Sequence, residues 1–200
     1  MANIPLPPSK FQYNLLHVLS PYVDDAKTKV NAIVEVNRGS INKYETITES
    51  GQLKLDRVGY SSLAFPFTYA GIPQTWDEDG DPLDIEIVNV TEPLVPGSLV
   101  EARIIGIMKF DDGGEVDDKV VAVLADDKRM DHIKTFEDLG EHTIKEITYF
   151  WEHYKDLKKP GTTKVNGWFG IEEAVKVIDE CTQRYQKDYA PKLQEVNGKN

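Results

Sequence analysis

The chain has 200 residues, 40% hydrophobic and 28% charged, with 34 acidic residues against 23 basic ones and a net charge of −11. That length gives one ordinary domain with a sizeable core, and no apolar run approaches the roughly 20 residues that cross a bilayer. Such acidity argues against a nucleic-acid partner, which needs a basic face, and the single cysteine, Cys181, excludes an intrachain disulfide and a cysteine-rich zinc site.

Residues 1–28 read as an N-terminal arm. Three prolines in Met1–Lys10 and the lack of an apolar core there speak against a signal peptide. With the lone cysteine, this places the expected chain in a reducing cytoplasm. The apolar stretch Tyr13–Leu19 allows one helical turn. From Lys29, Val30, Ala32, Val34 and Val36 alternate with Asn31, Ile33 and Glu35, the period-two signature of a strand, which turns Glu35 away from the valine face. Lys43–Thr48 and Leu53–Val58 read as short strands joined by the turn Glu49-Ser50-Gly51. Ile85–Val90, Leu99–Phe110 and Val120–Leu124 are further β-rich runs, with a turn at Pro93–Gly97 and a hairpin-type loop at Asp111-Asp112-Gly113-Gly114.

The pattern then changes. Ile144, Ile147, Trp151, Tyr154 and Leu157 recur at helical spacing, which predicts a helix over Glu141–Lys158 ended by Pro160-Gly161. A second helix starts near Ile171, with Ala174, Val175, Ile178 and Tyr185 on one side, and residues 191–200 read as a tail, loose at Gly198–Asn200. Without repeats or a linker, residues 29–190 are expected to form a single domain. The fold class is α+β, mainly β: a small barrel with helices packed outside.

The segment with most chemistry is Asp77-Glu78-Asp79-Gly80-Asp81-Pro82-Leu83-Asp84. Gly80 and Pro82 force a tight bend, so Asp79, Asp81 and Asp84 converge, and carboxylates this close call for a cation. Hard oxygen donors suit magnesium, manganese or calcium. The segment is not an EF-hand, because Pro82 falls where that loop needs glycine and Val88 where it needs glutamate. A lone Asp-rich loop is as often a plain solvated turn. A second acidic loop, with Asp111, Asp112, Asp117 and Asp118, could face the first across a barrel mouth and make a multi-metal site. Lys43 and Arg57 lie within strands, Lys119 follows the second acidic loop and Tyr154-Lys155 closes the first helix, all suited to outer phosphate oxygens. The P-loop, GxGxxG, HExxH and GxSxG signatures are missing. His17, His132, His142 and His153 lack metal-ligand spacing, and Trp76, Trp151 and Trp168 read as packing residues.

Asp79-Gly80-Asp81-Pro82-Leu83-Asp84 resembles the DGDPxD signature of the family I soluble inorganic pyrophosphatases. Further likeness runs through Glu35, Lys43-Tyr44-Glu45, Asp56-Arg57, Phe65-Pro66, Tyr69, Lys109–Val123 and Glu152–Leu157, covering roughly Lys29 to Ile178. The resemblance implies a five-stranded OB-type β-barrel with flanking α-helices that hydrolyses pyrophosphate to two phosphates with several Mg2+ ions. It implies Asp79, Asp84 and Asp117 on the first metal, with Asp84 bridging to a second. Asp112 and Asp117 would hold a metal that arrives with substrate, and Glu35 would act on another through water. Lys43, Arg57, Lys119, Tyr154 and Lys155 would hold the phosphoryl groups, with Tyr69 beside them, and Glu45 matches an acidic site position. Asp81 would take the proton of the attacking water, with Tyr154 in the same catalytic set. Bacterial relatives are commonly hexamers, so a homohexamer is expected over a dimer. Three departures stand out: Phe65 where the family usually has tyrosine, Ala70-Gly71 after Tyr69, and Lys43 one residue nearer to Glu35 than in some bacterial relatives. The rival readings are another metal-dependent phosphoanhydride hydrolase and a non-catalytic OB-fold binding module.

Overall fold

The computed structural model describes residues 14–192, so the first thirteen residues of the expected arm and Gly198–Asn200 lie outside it. In chain order it contains α1 (Leu15–Val18), β1 (Lys29–Val36), β2 (Asn42–Thr46), β3 (Leu53–Val58), β4 (Thr68–Gly71), β5 (Asp84–Ile87), β6 (Leu99–Asp112), β7 (Lys119–Leu124), α2 (Glu141–His153), β8 (Thr163–Phe169) and α3 (Ile171–Arg184). Short 3-10 turns lie at Lys128–Met130 and Phe136–Leu139, and a π-helical turn at Tyr185–Tyr189 carries α3 onward.

β1 pairs antiparallel with β4, β4 with β5, β5 parallel with β7, β7 antiparallel with β6, and β6 again with β1. Five strands therefore close into a ring, an OB-type barrel in which closure satisfies strand edges. β8 pairs with the second half of β6, and β2–β3 form a separate hairpin. The long β6 thus serves three partners in turn.

One sheet feeds two cores. Val30 and Ala32, Ala70, Ile85 and Ile87, Ile104 and Ile107, and Val120 and Ala122 cluster with Ala174, Val177, Ile178 and Cys181 of α3. This cluster draws on every ring strand, as the inside of a barrel must. Tyr69, Ile105, Met108, Val121 and Val123 cluster instead with Ile147, Phe150 and Trp151 of α2. Two register shifts, between Val34 and Val36 and between Ile104 and Gly106, move residues from one face to the other. That is why Val36 joins the α2 cluster although its alternation matches Val30 and Ala32.

Several elements differ from the sequence pattern. α2 ends at His153, one turn short of the predicted Lys158, with Tyr154 as its C-cap. Asp156 accepts from His153 Nδ1 at 2.7 Å and from the Gly161 amide at 3.3 Å, and Lys158 and Lys159 both donate to the Lys155 carbonyl. The Asp156 side chain thus ties the end of the helix to itself and to the following loop, and Leu157, expected on the apolar face, is 76% exposed. β4 carries no alternation because all four of its residues are buried, and β8 mixes Lys164, Asn166 and Gly167 into its run, so neither has a simple pattern in the sequence. Among the described residues, no helix is long and apolar enough to cross a membrane.

Candidate active site

The strand ends assemble one site. Asp84 is the first residue of β5 and Lys119 the first of β7, and the parallel pairing sets them side by side. Gly71, the last residue of β4, pairs with Asp84, and Asp112 ends β6 four residues beyond Met108, the partner of Lys119. The residues before β5 form the acidic turn. Gly80 has φ +90°, which favours glycine. The Asp77 amide donates to the Asp81 carbonyl at 2.8 Å and the Asp81 amide to Asp79 Oδ1 at 3.1 Å. α3 moors this turn: Arg184 Nη1 donates to the Trp76 carbonyl at 2.7 Å and the Trp76 amide to the Cys181 carbonyl at 3.0 Å.

The hairpin supplies the opposite wall. Lys43 and Arg57 are register partners across β2 and β3. The shift beside Glu35 marks a β-bulge that aims this side chain into the cavity, where its Oε1 accepts from the Thr46 amide at 2.7 Å. Because α2 stops at His153, Tyr154 and Lys155 project from its end onto the same space.

The cavity so formed measures about 120 Å³, well below the ~300–1,000 Å³ of pockets that enclose drug-sized ligands. Glu35, Glu45, Asp79, Asp81, Asp84, Asp112 and Asp117 line it against Lys43, Arg57 and Lys155, with Tyr69, Trp151 and Tyr154. Every site residue that the resemblance implied is therefore on its wall except Lys119, whereas Asp111 and Asp118 of the second acidic loop are not, Asp118 pairing with Lys109 at 2.8 Å. The Lys119 ammonium is fully buried behind the lining, bonded to Asp84 Oδ2 at 2.5 Å and to Asp117. Tyr69 also donates to Asp84, Lys155 pairs with Asp112, and the Tyr154 hydroxyl donates to Asp112 at 3.3 Å. Lys43 pairs with Glu45 at 2.6 Å, Arg57 with Asp56 at 2.6 Å, and the Arg57 guanidinium lies 5.8 Å from the Tyr154 ring centre. The Phe65 ring is buried 5.8 Å from that of Tyr69 and brings no hydroxyl.

The electrostatics show negative charge in excess. Burial raises the Glu35 carboxyl to about 7, with nearby Asp84 adding to the effect against the Thr46 hydrogen bond. Enclosure and the charges of Asp84 and Asp117 raise Asp79 to about 7 as well. Asp81 is raised by enclosure, then by Glu45 and Asp84, and Asp117 by burial against the pull of Lys119. Burial alone would lower Lys119, but Asp117 and Asp84 carry it well above the ordinary lysine value. The Tyr154 and Tyr69 phenols are driven up chiefly by burial, so both remain neutral donors.

Carboxylates that resist ionisation in a cavity of hard oxygen donors are a donor set that fits a divalent cation. Among the described residues, no group of three or more histidine, cysteine, aspartate or glutamate side chains is gathered as a ready cation cage. The ion pairs explain this, since Lys119 stands between Asp84 and Asp117 and Lys155 against Asp112. Trp151 and Glu86 were not legible as site residues. Trp151 reads as packing, and it is buried, yet it also lines the cavity. Glu86 lies behind it, fully buried, its carboxyl raised to about 8 by burial against the Trp151 hydrogen bond.

Fold and site together define a closed-barrel protein whose mouth combines an acidic cluster with an arginine and lysines for an anionic ligand. The family model "Inorganic pyrophosphatase" matches residues 32–186. Curated inorganic pyrophosphatases include one from Neisseria meningitidis, 48% identical over 159 residues, covering 79% of this chain and 89% of that protein. One from Geobacillus stearothermophilus is 44% identical over 158 residues, covering 79% of this chain and 94% of that protein. The crystal structure of an inorganic pyrophosphatase from Neisseria gonorrhoeae superposes with a TM-score of 0.82 at 46% identity, covering 86% of this chain and 99% of that one. The chain belongs to the inorganic pyrophosphatase family.

Proposed function

We propose that this chain hydrolyses pyrophosphate to two orthophosphates in a metal-dependent reaction, with magnesium as the working cation. The observation that carries the reading is one small cavity that an acidic cluster and the cations Lys43, Arg57 and Lys155 line together. Its size suits two phosphoryl groups better than a nucleotide.

Asp79, Asp84 and Asp117 would hold the first cation, Asp84 would share in a second, Asp112 and Asp117 would hold one that comes with substrate, and Glu35 would act on another. Magnesium bound there would neutralise the phosphates and lower the pKa of a coordinated water. Lys43, Arg57, Tyr154 and Lys155 hold the phosphoryl oxygens, with Tyr69 and Glu45 beside them. Lys119, seated between Asp84 and Asp117 just behind the lining, would add its charge to the same phosphoryl groups. Asp81 accepts the proton of the attacking water. The water oxygen bonds to one phosphorus, the bridging P–O bond breaks, and the leaving phosphate departs with its charge met by the lysine and arginine side chains. Tyr154, neutral because its phenol is buried, donates to that charge. The homohexameric state and the cytoplasmic location belong to the same reading.

The test is phosphate release from pyrophosphate. Activity vanishes in chelator, returns with magnesium, and stays low with calcium, whose larger and looser shell misplaces the donors. Full activity in metal-free protein, or preference for a nucleotide over pyrophosphate, overturns the assignment.

A further inference from the structure

The α2 core contains a carboxyl group that packing does not require. Glu86 is the middle residue of Ile85-Glu86-Ile87 in β5; both isoleucines join the barrel interior, so Glu86 faces outward, where α2 covers it. Its Oε1 accepts from the Trp151 indole N–H, while its Oε2 is buried without a partner. An apolar side chain would fill this space without stranding an oxygen, and phenylalanine at 151 would need no acceptor. The pair therefore serves something other than packing.

What it serves follows from where the indole leads. Trp151 lines the cavity. Its ring meets that of Tyr154 edge-on, 5.0 Å between centres at 81°, and the Lys119 ammonium stands 5.2 Å from the indole centre. An indole with its N–H tied has one orientation, whereas an untied one can occupy other rotamers. We propose that Glu86 is a positioning residue for phosphate binding: it fixes the Trp151 indole from behind, and the indole fixes the Tyr154 ring and the seat of the Lys119 ammonium. This rests on the pyrophosphatase reading for the roles of Tyr154 and Lys119.

The experiment compares Glu86→Gln, Glu86→Leu, Trp151→Phe and the double variant Glu86→Leu/Trp151→Phe in magnesium buffer. Glu86→Leu and Trp151→Phe each raise KM for pyrophosphate about tenfold with kcat changed less than about threefold, the signature of lost ligand binding. The double variant is no worse than the poorer single one, because both changes remove one contact. Glu86→Gln keeps the acceptor and restores KM to within about twofold. A second readout uses protein labelled with 5-fluorotryptophan, with Trp151→Phe identifying the Trp151 resonance. In Glu86→Leu that resonance shifts and broadens, and inorganic phosphate titrated against it binds about tenfold more weakly. In Glu86→Gln it stays in place.

Parental KM in Glu86→Leu, multiplying effects in the double variant, or an unmoved Trp151 resonance in Glu86→Leu each overturn the proposal. A parent that releases no phosphate from pyrophosphate, with phosphate binding still weakened in Glu86→Leu, sinks the hydrolysis reading and leaves this one standing.

Discussion

Glu35→Gln isolates one buried charge. Glu35 is 8% exposed, and burial lifts its carboxyl from the ordinary 4.5 to about 7. At 1.36 kcal/mol for each pH unit between those values, ionising it in the metal-free fold costs about 3 kcal/mol. The sign follows from proton counting. Between 4.5 and about 7 the folded chain keeps a proton that the unfolded chain has released. Stability is therefore fullest below the unfolded value and is lost as pH rises through the folded one. Glutamine keeps an Oε1 to accept from the Thr46 amide and has no proton to lose. Urea unfolding in chelator, from about pH 5 to about pH 8, should show the parent losing about 2.5 kcal/mol more than the variant, the part of the total that falls in that window. The variant should be the more stable of the two at the alkaline end. Magnesium should flatten the parent's slope, because a cation then takes over the neutralising role of the proton. Parallel pH–stability curves for parent and variant in chelator would refute the argument.

Asp84→Asn and Asp117→Asn each strip a carboxylate from the buried Lys119 ammonium. Both should weaken magnesium binding and turnover, and lower stability by about 1–3 kcal/mol. Magnesium titration and melting curves decide, and parental behaviour in either variant removes that residue from the ligand set. Arg57→Ala and Lys155→Ala should cut turnover while resting magnesium binding stays largely intact, and Arg57→Lys should not fully restore a bidentate contact. Unchanged kinetics in both alanine variants returns them to plain surface charge. Asp81→Asn should lower turnover by about 10²–10⁴ with magnesium binding nearly intact, and part of the loss should be recovered at higher pH. A pH–rate profile paired with a magnesium titration tests this, since joint collapse of binding and activity would make Asp81 a ligand.

Local chemistry wrote much of this protein in its sequence. Gly80 and Pro82 impose the acidic bend through their own backbone limits, β3 begins and ends where its pattern does, and β1 is legible from alternation alone. The long residue order from Glu35 to Lys155 points to one cavity because each motif sits at a strand or helix end. What remained hidden depends on partners distant in the chain. The bulge that aims Glu35 inward exists only against β4, and no alternation within β1 reveals it. β4 and β8 lack a readable period, since four consecutive buried residues or a glycine-interrupted run become strands only when neighbours supply their hydrogen bonds. Lys119 reads as a residue reaching for substrate, and only the parallel β5–β7 register buries its ammonium between Asp84 and Asp117. Glu86 alternates out of the barrel as a solvent-facing acid would. The packing of α2 over that face turns it into a buried acceptor for Trp151, because burial is a property of what covers a residue and not of the residue itself.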